Sequence, residues 1–146
     1  ACFITCKEFS KAISEKYPDK QMPFSLVPDE ILDQLILSAS EVAEGKYMEH
    51  FIVAAISGGA GTSINMNVNE IIANSALLRM GHAPGDYVVV DPIESANVFQ
   101  STNDVIPTSL KVAIMQLLAR LEASINFLRQ GVETLETRHR NHLRLG

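Results

Sequence analysis

Apolar residues in the first 17 positions return at helical spacing. Phe3, Ile4, Phe9, Ala12 and Ile13 alternate with Lys7, Glu8, Lys11 and Glu15, which predicts a helix. Tyr17-Pro18-Asp19 breaks the pattern, and Lys20 to Val27 has no period. A second helix is predicted from Pro28, placed in the first turn, with Asp29 and Glu30 at the positive end of its dipole. Leu32, Leu35, Ala39 and Val42 line one face, and Gly45 supplies a left-handed stop. The short apolar run Phe51 to Ile56 reads as a strand or a buried helix. A third helix carries Ile64, Val68, Ile71, Ile72 and Ser75 on one face and ends at Gly81 and Pro84. Tyr87 to Val90 is β-prone, and 91–106 reads as irregular.

Pro107 then opens a very long predicted helix. Leu110, Ile114, Leu117, Leu121, Ile125, Leu128, Val132 and Leu135 follow steps of three and four, close to a coiled-coil seam. Run from Pro107 to Leu145, it would measure roughly 57 Å, well beyond the roughly 30 Å of a compact domain of this size. Such a seam needs partners, either further chain or other subunits. The fold class expected is mainly α. A loop-rich helical N-terminal domain over 1–106 is followed, over 107–146, by the first long helix of a helical bundle. The chain opens on Ala1 within a helical pattern, so a piece of a longer protein is expected.

Composition narrows the function. The 146 residues are 47% hydrophobic and 20% charged, with a net charge of -5. That charge argues against phosphate-driven nucleic-acid binding. No apolar run approaches the roughly 20 residues of a membrane span. No basic, apolar targeting segment opens the chain, and a cytoplasmic setting is expected. Cys2 and Cys6, four apart, would share a helix face as two buried thiols with no disulfide framework. Neither a metal-ligand spacing nor a cofactor fingerprint occurs, so no cofactor and no metal are expected. His139 and His142 lie among Arg138, Arg140 and Arg144 and read as a solvated basic helix end, while His50 and His82 show no partner ligands for a metal.

Two segments stand out chemically. The first is Ser57-Gly58-Gly59-Ala60-Gly61-Thr62-Ser63, a glycine loop running into a helix. Freed backbone N–H groups, a positive helix end and two hydroxyls make an anion site, although no Lys follows as in a Walker loop. A tightly packed, capped turn explains the composition equally well. Asn65, Asn67, Asn69 and Asn74 follow within the helix, against local propensity, and Asn65 and Asn69 share a face. The second segment is Gln100-Ser101-Thr102-Asn103-Asp104. It reads either as a helix entry capped by Asp104 or as a set of neutral donors for a carboxylate or its enolate-like form.

Taken together, Gly58 to Glu70 and Gln100 to Asp104 with Pro107-Thr108 resemble the aspartase/fumarase superfamily over about Pro28 to Gly146. The Gly-Gly-Ala-Gly-Thr-Ser and Ser-Thr-Asn-Asp wording resembles the aspartate ammonia-lyase branch. The fumarase branch usually has Ser at position 60, Gln after the Thr and Ser at 102. The resemblance implies proton removal next to a carboxylate and expulsion of the leaving group to give fumarate. It implies that Thr62, Ser101, Thr102 and Asn103 contact a small dicarboxylate (L-aspartate or fumarate), that Gly61 lets the backbone approach, and that Asn65 assists. It also implies a homotetramer whose sites draw on three subunits.

Departures accompany the match. The family's general base, a Ser in a Gly-Ser-Ser-x-Met-Pro-x-Lys-x-Asn motif, has no counterpart here, nor does its Gly-Arg-Thr motif. No catalytic residue is therefore assigned, and the 146 residues alone are expected to be inactive. Residues 1–27 fit the family poorly. Asp91-Pro92-Ile93-Glu94 replaces the His-Pro-Asn-Asp common in fumarases. The alternatives are a fumarate hydratase of the same superfamily, or an inactive lyase-like assembly subunit.

Overall fold

The computed structural model describes residues 1–18 and 26–143. Among these residues four α-helices run in order: α1 (Cys2–Lys16), α2 (Asp29–Ala43), α3 (Thr62–Arg79) and α4 (Thr102–Arg138). A 3-10 turn at Met48–His50 and a π-helical turn at Pro92–Ala96 lie between them. No strand occurs among the described residues. The chain divides into two compact units, Ala1–Ile106 and Pro107–Gly146.

The first unit is built around α3. Its Ala73, Ala76 and Leu77 pack with Leu32 and Leu35 of α2, and all five are fully buried. Burial stabilises each leucine by about 1.5–3 kcal/mol. Val90 and Ala96 close the same core, and Phe3 and Cys6 bring α1 against it. An ion pair between Lys7 and Asp33 ties α1 to α2. Its hydrogen bond to Asp33 raises the Lys7 pKa.

Helix ends follow the sequence closely. Pro28 caps α2 rather than occupying its first turn, with Asp29 and Glu30 just inside. Gly45 stops it at φ +91°, where its N–H reaches the Val42 carbonyl and that of Lys46 the Glu41 carbonyl. Gly81, at φ +83°, does the same for α3. Only one of the two thiols is sheltered. Cys2, the first residue of α1, is exposed, and the core reaches Cys6 alone.

Several expectations are corrected. Residues 51–56 form neither strand nor helix, and Ile52 and Ile56 are largely exposed. Their backbone has no ladder because a side chain from α3 takes its place, as described below. Tyr87 to Val90 coils into a turn in which the Asp86 carbonyl accepts from both Val89 and Val90. Val88 is 98% exposed and Val90 0%, although a strand would have put both on one face. The Pro84-Gly85-Asp86 turn overrides β propensity here. Residues 91–106 are more ordered than expected. Asp91 Oδ1 accepts from the N–H groups of Ile93 and Glu94 and caps the π-helical turn.

The long helix begins five residues before Pro107, so this proline lies inside α4. Lacking an N–H, it cannot bond the Asn103 carbonyl four residues back. Ser101, not Asp104, caps the helix, its Oγ accepting from Asn103 N at 3.3 Å. The helix ends at Arg138, and 139–143 leave it. The expected extension to Leu145 otherwise lies outside the described residues, as does most of the irregular stretch 20–27. In the second unit, all eight apolar seam residues from Leu110 to Leu135 are exposed.

Candidate functional site

The glycine loop turns through three successive left-handed residues. Gly59 has φ +80°, Ala60 +53° and Gly61 +86°. Glycine adopts this region freely, while Ala60 carries strain of about 1–2 kcal/mol. Gly61 begins α3, and its carbonyl accepts the first helical bond, from Asn65 N. Neither Thr62 nor Ser63 caps the helix. Thr62 instead donates its hydroxyl to the Gly59 carbonyl at 2.8 Å, which locks the turn.

The loop and the start of α4 meet directly. Asn65 Nδ2 donates to Thr102 Oγ1 at 3.2 Å across 37 residues of sequence. A Cβ on Gly61 would fall 2.9 Å from Cγ2 of Ile106. Glycine is therefore required twice over, for conformation and for space. Thr62, Ser101 and Asn103 are exposed, Gly61 and Thr102 half-buried, and Asn65 only 3% exposed. The structure thus brings all six sequence-predicted residues into one neighbourhood of the first unit.

Asn97 was missed in the sequence and is central. Its Oδ1 accepts from Asn65 Nδ2 at 3.1 Å and from Asn69 Nδ2 at 3.0 Å. Its Nδ2 donates to the Gln100 carbonyl at 3.1 Å. Gln100 returns its own amide to the Ala96 carbonyl. The only sequence signal was the polar composition of 91–106. Phe99 was missed as well. It holds φ +57° just before the loop, with its ring edge-on to Phe9 of α1 at 6.1 Å. An aromatic residue rarely accepts that conformation, and it places strain beside the candidate site.

The other asparagines work on the opposite side of α3. Asn67 Oδ1 accepts from the backbone of Ile52 and Val53, and its Nδ2 donates to the His50 carbonyl. Asn74 Oδ1 accepts from Gly85 N at 2.7 Å, and its amide donates to the Glu70 carbonyl and to Tyr87 Oη. Four poor helix formers are tolerated because each amide satisfies other groups.

The site is electrically quiet, built from hydroxyls, amides and backbone groups. Charge gathers at the end of α2, where Glu41 meets Lys46 at 2.9 Å and Arg79 at 3.2 Å. The bond from Lys46 holds the Glu41 carboxyl below the usual range, helped by Tyr47 and Arg79. Burial pushes the Cys6 thiol up, and the neighbouring Cys2 adds to this. His82 has Nδ1 2.9 Å from Asp86 Oδ2. Among the described residues, no group of three His, Cys, Asp or Glu could hold a metal ion. No helix there is long and apolar enough to cross a membrane.

Known proteins resemble this chain in sequence and in fold. The chain is 44% identical over 109 residues to an aspartate ammonia-lyase of Bacillus sp, covering 75% of this chain and 23% of that protein. It is 40% identical over 121 residues to the aspartate ammonia-lyase of Escherichia coli (strain K12), covering 82% and 25%. The chain therefore spans about a quarter of the length of these relatives. Its fold is similar to the crystal structure of fumarate lyase:delta crystallin from Brucella melitensis. The TM-score is 0.78 at 29% identity, covering 99% of this chain and 32% of that one. A family profile described as Lyase matches residues 6–146. The match reaches well into residues 1–27, which the sequence had set apart, and α1 is accordingly part of the shared fold. By that match and these relatives, the chain belongs to the lyase family of the aspartase/fumarase superfamily.

Proposed function

We propose that these residues form the dicarboxylate-holding part of an aspartate ammonia-lyase, which converts L-aspartate to fumarate and ammonia. One observation carries the reading: Asn65 Nδ2 lies 3.2 Å from Thr102 Oγ1, joining the glycine loop to the Ser101-Thr102-Asn103 segment. Loss of a proton next to a carboxylate loads extra negative charge onto that carboxylate. Fixed neutral donors stabilise this charge more than they stabilise the substrate, which lowers the barrier. Thr102 and Asn103 hold the carboxylate, or the amino group, near the reacting carbon. Ser101 and Thr62 complete the contacts, Gly61 admits the substrate to the backbone, and Asn65 orients Thr102.

Residues 1–106 act as the N-terminal domain of the lyase and 107–146 as the start of its bundle. The general base lies outside these residues, so this part binds and orients while another segment takes the proton. The exposed α4 seam supports assembly through long helices, as a homotetramer.

The test is fumarate appearance by ultraviolet absorbance in the full-length protein, with L-aspartate and L-malate supplied in parallel. Fumarate from L-aspartate alone is the expected result. Fumarate from L-malate alone would make the protein a hydratase, and silence with both would leave an assembly subunit.

A further inference from the structure

Hydrogen-bond polarity draws one more residue into the reaction. The Gln100 carbonyl can only accept, so the Asn97 atom 3.1 Å from it is the amide nitrogen. Asn97 Oδ1 therefore faces the other way, where it needs donors. It receives them from Asn65 Nδ2 and Asn69 Nδ2. That choice turns the nitrogen of Asn65, rather than its oxygen, toward Asn97. The second hydrogen on the same nitrogen reaches Thr102 Oγ1. Thr102 is the acceptor in this bond, which leaves its own hydroxyl hydrogen to donate outward.

We propose that Asn97 is a positioning residue for the lyase reaction, setting Thr102 through Asn65 as a donor to the substrate carboxylate. The proposal rests on the reading of Thr102 given above. With Asn65 turned over, its Oδ1 would oppose Asn97 Oδ1 and capture the Thr102 hydrogen. The relay starts from a backbone carbonyl, whose polarity cannot invert. It passes only through amides, so it adds no charge that would repel a dicarboxylate. Aspartate at position 97 would still accept twice, but it would lose the donor to Gln100 and bring a negative charge toward the substrate.

A double-mutant cycle in the full-length protein tests this, with L-aspartate as substrate. Asn97→Leu alone lowers kcat/KM about 10- to 100-fold, and in a Thr102→Val background it costs less than about threefold more. Fully additive losses would overturn the proposal, because a purely structural role predicts them. So would wild-type kcat/KM in Asn97→Leu. If Asn97→Leu does not fold, Asn97→Asp decides, since it keeps the acceptor and the Thr102 polarity. It then raises KM about tenfold or more and leaves kcat within about threefold. A kcat loss as large as that of Thr102→Val would overturn the proposal. Wild-type turnover in Thr102→Val alone would instead remove the reading beneath it.

Discussion

Ile106 occupies the space that any side chain on Gly61 would need, since a Cβ there would stand 2.9 Å from Cγ2 and 3.1 Å from Cγ1. The start of α3 is thereby packed directly against the Ile106 side chain, one turn into α4. Gly61→Ala meets this clash and a φ of +86° together. It should destabilise the first unit by about 1–3 kcal/mol. Thermal unfolding checks this. In the Gly61→Ala background, Ile106→Ala should cost less than it does alone, because it removes both clashing atoms. Equal costs in the two backgrounds would show that the contact carries no strain.

Thr102→Val keeps the shape of the side chain and removes its hydroxyl. In the full-length protein, kcat/KM for L-aspartate should fall about 10- to 100-fold, the scale of one hydrogen bond to a charged group. Stability should change by less than about 1 kcal/mol, because Thr102 is only half-buried and Asn65 keeps Asn97 as an acceptor. Thr102→Ser should restore most of the rate. Steady-state kinetics and thermal unfolding, measured together, separate the two effects.

Acid should weaken the end of α2. The Glu41 carboxyl is held below its ordinary value of 4.5, first by the bond from Lys46. A carboxyl with a depressed folded pKa stabilises the protein above its unfolded pKa, and the contribution disappears as pH falls through the folded value. Denaturant midpoints should therefore drop as pH goes from about 5 toward 3. Glu41→Gln should flatten that part of the profile and leave its slope near neutrality unchanged. A variant profile parallel to wild type in acid would place the titration elsewhere.

The α4 seam should drive association. Leu117, Leu121, Ile125 and Leu128 are each more than half exposed, more apolar surface than a lone helix tolerates. Sedimentation should find wild type associated at micromolar concentration. Leu121→Lys with Ile125→Lys should shift it toward monomer. An unchanged distribution would mean that another surface makes the contact.

The second and third helices were legible because each carries its own punctuation. Pro28 with Asp29 and Glu30, Gly45, and Gly81 act within a turn of where they stand. The segments that were misread take their shape from partners distant in sequence. Tyr87 to Val90 has strand composition, yet Val90 belongs to the core and Asn74 fixes the turn before it. Ile52 and Val53 find their acceptor on Asn67, 15 and 14 residues away. The start of α4 was placed late because Pro107 is a strong helix opener, while the Ser101 cap is a weak signal. At the site, the two motifs were plain in the sequence. Asn97 was not, because an amide that only accepts and donates among other amides has no local pattern.

The asparagines of α3 also decide which changes of length the molecule can absorb. Asn65 and Asn69 serve Asn97, Asn67 serves residues 50–53, and Asn74 serves Gly85. One residue inserted near Thr62 would rotate everything upstream of it against the rest by roughly 100°. One inserted between Asn69 and Asn74 would leave one set of bonds in place and swing the other away. Turns such as 54–57 sit outside these fastenings and can lengthen at little cost. The helix is thus the fixed measure of the domain, and variation in chain length is confined to the loops it holds.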